Sequence, residues 1–297
     1  MLMSYLVMNF KSLITIAIAG CAVFSQATDG YFDSKGVKIR YVTEGSGIPI
    51  LLVHGWMGDS SMWGNDGAGN TKLKALPGYQ VIAIDCRGHG KSEKPHDPGK
   101  YGIEMALDVV RLLDHLKIQK AHMIGYSMGA FVVGNIAATH PERVISAIYG
   151  GQAPIIKGAG STGSNEVDIF AKAVEDGKGL GPYIIAVSPS DKPKPTFEQA
   201  NAIAKFLYGT KDVKAFAVAG QSLGELAVSA EDLKKCKLPT LFIYGGEESA
   251  YVKNSVAAAR KLIAGSEEKV IQGSNHITTL GKPEFGATII KFIQAHS

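Results

Sequence analysis

From about residue 36 onward the chain alternates short apolar runs with longer segments whose apolar positions recur every three or four residues. The runs GVKIRYV, PILLVHG, YQVIAID, KAHMIGYS, RVISAIYG, LPTLFIYG and EEKVIQG read as strands. Several are apolar at nearly every position, the pattern of a strand covered on both faces. Helices are predicted over 103–118, 128–140, 249–264 and 283–296. Alternation of this kind with short connections implies an α/β class fold, a mostly parallel sheet covered by helices on both faces.

The alternation stops between residues 151 and 237, where only helical patterns appear. SNEVDIFAKAVEDG carries Ser164 as a candidate N-cap, and TFEQANAIAKFLYG opens with Thr196 and Gln199 in capping-box spacing. The expected organisation is therefore a core from 28–150 and 238–297, with 151–237 inserted as a helical cap or lid over the strand ends. The insertion carries many apolar and aromatic residues, among them Ile169, Phe170, Tyr183, Ile184, Phe197, Phe206 and Phe216, and some of these are expected to line an apolar substrate pocket.

Residues 1–27 do not read as folded structure. Lys11 precedes an apolar stretch from Leu13 to Phe24, and Ser25 and Ala27 flank Gln26. This is the layout of a secretory signal peptide cleaved after Ala27, with an apolar run too short for a comfortable membrane span. Export to the periplasm or the exterior is expected, without stable membrane insertion after cleavage. A second pattern, IAGC at 18–21, resembles a lipoprotein box that would place a lipid on Cys21. The Ala22-Val23-Phe24 that follows is unlike a polar tether, so soluble export ranks above lipidation.

Composition narrows the partners. The 297 residues include 31 Lys and Arg against 27 Asp and Glu, a net +4 that is scattered rather than gathered into a basic run, which argues against a nucleic-acid partner. Of three cysteines, Cys21, Cys86 and Cys236, two distant ones would survive cleavage, which is no disulfide framework. Neither Cys-x-x-Cys nor His-Glu-x-x-His occurs, so no metal site is expected. GAGSTG at 158–163 has dinucleotide-loop spacing but lies in the insertion rather than after a first strand, and GHGKS at 88–92 has Asp85 where a phosphate loop needs its first glycine. No cofactor is expected.

The chemistry is concentrated in one junction. An apolar strand runs into Gly125-Tyr126-Ser127-Met128-Gly129, and a helix follows. Gly-x-Ser-x-Gly at a strand-to-helix junction is a nucleophile elbow, a turn tight enough to strain the serine backbone and expose its oxygen. A serine hydroxyl needs a base, and the base an orienting carboxylate. His89, His96, His115, His122 and His140 read as surface-like loop or helix positions, and His276, in VIQGSNHITTL just after the last strand, is the candidate base. Glu247 and Glu248 both lie in the turn after LPTLFIYG, and Glu248 is favoured as the acid. His54-Gly55 ends an early strand, so that the N–H of Trp56, with that of Met128, can form a two-donor oxyanion hole.

LLVHGW, VIAIDCRGHGKSEKP, DVVRLLDHLKIQKAHMIGYSMGA, LPTLFIYGGEES and GSNHITTLGKPEF together resemble the α/β-hydrolase fold superfamily, in its esterase, lipase and cofactor-free peroxidase-like branch. The resemblance covers roughly residues 36–150 and 232–296. It implies a catalytic triad of Ser127, Glu248 and His276, an oxyanion hole at Trp56 and Met128, a small-molecule ester substrate, and a structural rather than catalytic role for Asp85. Two positions depart from the family pattern: Glu248 stands where an Asp is usual, and Ala130 where Gly is common. Other activities on the same triad, including peroxidase or perhydrolase, C–C bond hydrolase, lactonase and aminopeptidase, stay open, as does a binding module with an idle triad.

Overall fold

A computed structural model describes residues 27–64, 76–159, 165–188 and 193–297. The segment read as a signal peptide, Cys21 included, lies outside the described residues except for Ala27, as does the N-cap assigned to Ser164. The strands are β1 (Thr28–Asp33), β2 (Lys38–Gly45), β3 (Ile48–Val53), β4 (Tyr79–Ile84), β5 (Ala121–Tyr126), β6 (Val144–Gly150), β7 (Thr240–Gly245) and β8 (Glu267–Ile271). The helices are α1 (Ile103–His115), α2 (Met128–Thr139), α3 (Asn165–Asp176), α4 (Gly181–Val187), α5 (Phe197–Tyr208), α6 (Val213–Gln221), α7 (Ala230–Lys235), α8 (Ala250–Leu262) and α9 (Pro283–Ala295).

The strands form one sheet in the order β1-β2-β4-β3-β5-β6-β7-β8. β2 runs antiparallel to both of its neighbours, β1 and β4, and every other pair is parallel. Successive strand residues point to opposite faces, and both faces are covered. Leu51, Val53, Ile82 and Phe242 pack with α1, α2 and α8 through Leu112, Ile136 and Val256. Ile50, Leu52, Val81 and Ile243 pack with α9 through Phe285, Ile289 and Ile293. This two-sided burial is why the central strands carry no polar alternation. β1 has no such signature, since Phe32 is its only buried residue.

Between β6 and β7 the helices separate into two groups. Phe170, Tyr183, Ala200, Ala204 and Phe216, from α3 to α6, build their own apolar cluster, whereas Leu226, Val228 and Leu233 belong to the sheet-side core. Thr196 and Gln199 form the reciprocal capping box at the start of α5.

The loop after β4 is held by charge. Asp85 accepts from the backbone N–H of Ser60 at 2.7 Å and of Lys91 at 2.8 Å, and from Arg40 Nη1 at 3.0 Å. Burial raises its pKa, but these donors outweigh burial and hold the carboxyl below its ordinary range. Arg87, 1% exposed, grips the equally buried Asp108 of α1 with Nε at 2.7 Å and Nη2 at 2.5 Å. Asp85 therefore occupies a structural turn, with its lone pairs taken by Lys91 of its own loop, by Ser60 and by Arg40 of β2. Cys86 and Cys236 are both buried free thiols.

Candidate active site

The elbow is built by steric demand at two glycines. A Cβ on Gly125 would overlap the carbonyl of Gly129, and one on Gly129 would overlap the carbonyl of Val53 in the neighbouring strand. Only hydrogens fit there, so α2 can start directly against the ends of β3 and β5. Ser127 is left at φ 55° and ψ −118°, a conformation that costs a non-glycine residue on the order of 1–3 kcal/mol. Its backbone is held in place by the bond from Ser127 N–H to the Gly150 carbonyl at 2.8 Å.

The three residues expected to act together are adjacent. His276 Nε2 lies 3.0 Å from Ser127 Oγ, and His276 Nδ1 lies 2.9 Å from Glu248 Oε1. An ionised carboxylate only accepts, so Nδ1 carries the proton and Nε2 presents its lone pair to the serine hydroxyl. The side chain of Glu248 is 2% exposed, while neighbouring Glu247 is exposed and touches neither partner. The turn sends them apart through bonds from Glu247 N–H to the Ser274 carbonyl at 2.9 Å and from Glu248 N–H to the Gly245 carbonyl at 3.2 Å.

His276 is fixed by groups that the motif pattern leaves unspecified. The Tyr126 hydroxyl donates to the His276 carbonyl at 2.6 Å. Burial, reinforced by the charge of Glu248, raises the pKa of that phenol and keeps it a donor. Asn275 Oδ1 accepts from the N–H groups of Ile277 at 3.0 Å and Thr278 at 3.1 Å, so the loop after β8 is pinned on both sides of the imidazole. Tyr126 occupies a variable position of Gly-x-Ser-x-Gly, which is why that pattern is silent about it.

The remaining predicted residues lie in the segments that flank Ser127. Gly55 stands against the nucleophile, since a Cβ there would sit 3.2 Å from Ser127 Cβ. A tight turn follows, closed by Gly58 N–H to the Gly55 carbonyl at 3.0 Å, with Trp56 and Met57 at its corners. Met57 adopts φ 62°, a left-handed conformation costing about 1–2 kcal/mol. Among the described residues the Trp56 N–H has no acceptor. Met128 is the first residue of α2, so its N–H has no intrahelical acceptor either. His54 is fully buried and shapes this loop: its Nδ1 donates to the Gly55 carbonyl at 2.7 Å and its Nε2 accepts from Cys86 N–H at 3.0 Å.

One expectation about side chains fails. His89 and His122, read as surface-like, are fully buried. Burial lowers their pKa values to about 3 and about 4 respectively, so both are neutral. His122 packs inside β5 against Ser146 at 2.8 Å. Of the apolar residues of the insertion, Phe170, Tyr183, Ile184 and Phe216 are buried in the cluster that meets Trp56 and Met57. Phe197 and Phe206 face solvent instead, at 46% and 89% exposure. Among the described residues no group of three or more His, Cys, Asp or Glu is placed to hold a metal ion. No described helix is long and apolar enough to cross a membrane.

Comparison with known proteins agrees with this architecture. A family model described as the alpha/beta hydrolase fold matches residues 48–154. A dihydrolipoyllysine-residue acetyltransferase component of the acetoin cleaving system from Cupriavidus necator is 36% identical over 118 residues, 39% of this chain but only 30% of that relative's length. A non-heme haloperoxidase from Rhodococcus erythropolis is 27% identical over 279 residues, covering 88% of this chain and 98% of the relative. The structure of an esterase (EaEST) from Exiguobacterium antarcticum superimposes with a TM-score of 0.67 at 25% identity, covering 91% of this chain and 98% of that one. With a mostly parallel sheet in this strand order, a serine elbow after β5 and these similarities, the chain has the α/β-hydrolase fold.

Proposed function

We propose that the protein is a serine hydrolase cleaving small to medium, uncharged carboxylic esters through an acyl-enzyme on Ser127. The observation that carries this reading is the continuous relay from Ser127 Oγ to His276 Nε2 at 3.0 Å and from His276 Nδ1 to Glu248 at 2.9 Å. His276 takes the hydroxyl proton as Ser127 Oγ attacks the ester carbonyl, and Glu248 stabilises the imidazolium. The N–H groups of Trp56 and Met128 receive the developing oxyanion, each donor worth about 10²–10³ in rate. The Nε2 proton then passes to the leaving alcohol. Water, deprotonated by the same nitrogen, releases the acid and restores the serine.

Nucleophilic opening of an epoxide through an ester intermediate calls for a carboxylate at the nucleophile position, and residue 127 is Ser. A second reading uses the same acyl-enzyme with hydrogen peroxide in place of water, giving a peracid. The match to the haloperoxidase along 98% of that relative favours keeping it.

The apolar cluster beside Trp56 supports preference for compact apolar esters. Turnover of p-nitrophenyl esters from acetate to octanoate, with lactones and aminoacyl amides alongside, is expected to peak among the short and medium esters and to exceed that of emulsified long-chain triglyceride. Faster cleavage of the emulsion would overturn the size preference, and peracid formation outpacing hydrolysis on added peroxide would favour the second reading.

Export forms part of the proposal. It rests on the Lys11, Leu13–Phe24 and Ser25-Gln26-Ala27 pattern, with β1 beginning at Thr28 directly after the expected cleavage site. N-terminal sequencing of the protein from its native host is expected to read Thr28-Asp29-Gly30. Soluble cytoplasmic protein beginning at Met1 or Met8 would sink this part.

A further inference from the structure

Trp56 does more than present a backbone N–H. Its indole Nε1 donates to the carbonyl of Phe216 in α6 at 2.8 Å, across 160 residues of sequence. Its ring stands edge-on to Phe170 at 5.1 Å and to Tyr183 at 6.3 Å, so α3, α4 and α6 all close on it. The fit is tight: a Cβ on Gly220 of α6 would lie 2.9 Å from Trp56 Cζ2 and 2.9 Å from Val167 Cγ1. On its other side Trp56 belongs to the turn whose next residue, Met57, is held at φ 62°.

A turn with a left-handed methionine at its corner does not keep that shape by its own preference. Within the turn one backbone bond closes it, from Gly58 to Gly55; His54 holds the Gly55 carbonyl at its start, and the side chains at its corners, Trp56 and Met57, are restrained by the insertion, since both pack on the aromatic cluster. We infer that the Trp56 indole is a positioning residue, through which the helical insertion fixes the orientation of the Trp56 backbone N–H toward the oxygen of the substrate bound at Ser127. The insertion thus sets the strength of the oxyanion hole as well as the shape of the pocket. The inference rests on the serine-hydrolase reading above.

An oxyanion donor is useful only when aimed at the position of the developing charge, so small rotations of the turn weaken the transition state more than the bound ester. Trp56→Phe keeps an aromatic ring but removes the bond to Phe216. Gly220→Ala displaces the indole from a residue remote from the triad, which keeps the test open if the first variant folds poorly. Both are expected to lower kcat for p-nitrophenyl butyrate about tenfold with KM changed less than twofold. Affinity for an alkyl boronic acid, whose tetrahedral adduct places an oxygen in the hole, should fall in parallel. The pH profile of kcat should keep its shape, because His276 and Glu248 are untouched. Wild-type ester turnover tests the serine-hydrolase reading, and the ratio of variant to wild type tests this inference. A changed KM with kcat within twofold of wild type would reduce the indole to a pocket wall. A fall in kcat that vanishes on correction for the folded fraction would reduce it to a stability contact, and either result overturns the assignment.

Discussion

Ser127→Ala is expected to cut ester turnover by on the order of 10⁶, the scale seen when the nucleophile of a complete triad is removed. It should also abolish covalent labelling by a fluorophosphonate probe. The substitution deletes one oxygen, and with it the only nucleophile within reach of His276 Nε2 among the described contacts. What holds the elbow is untouched: the bond from residue 127 N–H to the Gly150 carbonyl is a backbone bond, and the clearances at Gly125 and Gly129 do not involve the hydroxyl. The Tm of the variant should therefore stay within a few degrees of wild type, and loss of activity with retained folding separates chemistry from structure. The oxyanion donors remain, so a residual rate above the water reaction is expected. Labelling that persists in the variant, or turnover above about one percent, would place the nucleophile elsewhere.

The elbow was legible because its glycines answer a local steric demand. Gly125 faces Gly129 four residues away, and a spacing rule captures that. His276 and Glu248 are separated from Ser127 by 149 and 121 positions, yet they were found because parallel strands deliver their following loops to one end of a sheet. β1 was not found, since TDGYFD at the sheet edge buries one side chain and shows no period. Nor was the direction of β2, because an edge hairpin and a crossover strand share the same apolar pattern. His122 looked like a surface residue because a polar side chain in an otherwise apolar strand finds its partner, Ser146, only across the sheet. Which apolar residues of the insertion turn inward is not legible, because helical periodicity shows that an apolar face exists without showing what it meets, and Phe206 meets solvent. The tie from the Trp56 indole to the Phe216 carbonyl had no signal at all: a backbone acceptor is present at every residue, and only the fold selects which one is used.

Glu248→Gln is expected to lower kcat by about 10⁴ while leaving KM within a few-fold, and Glu247→Gln to leave most activity in place. The two glutamates are neighbours in one turn, so composition, net charge and local sequence context are shared controls. Only Glu248 meets the imidazole, at 2.9 Å, with its side chain 2% exposed. In the glutamine variant the carbonyl arm can still accept from Nδ1–H, but the negative charge that stabilises the imidazolium is gone, and the amide arm favours the wrong tautomer by presenting a donor to the ring. Burial sharpens the effect, because little water is available at that position to replace the lost charge. The glutamate's length is also part of the geometry: Glu248→Asp withdraws the carboxylate by roughly one C–C bond, about 1.5 Å, and should fall between wild type and the glutamine variant. The reverse ranking of the two glutamine variants would move the role to Glu247, and full activity in both singles and in the double variant would place the orienting acid outside this turn.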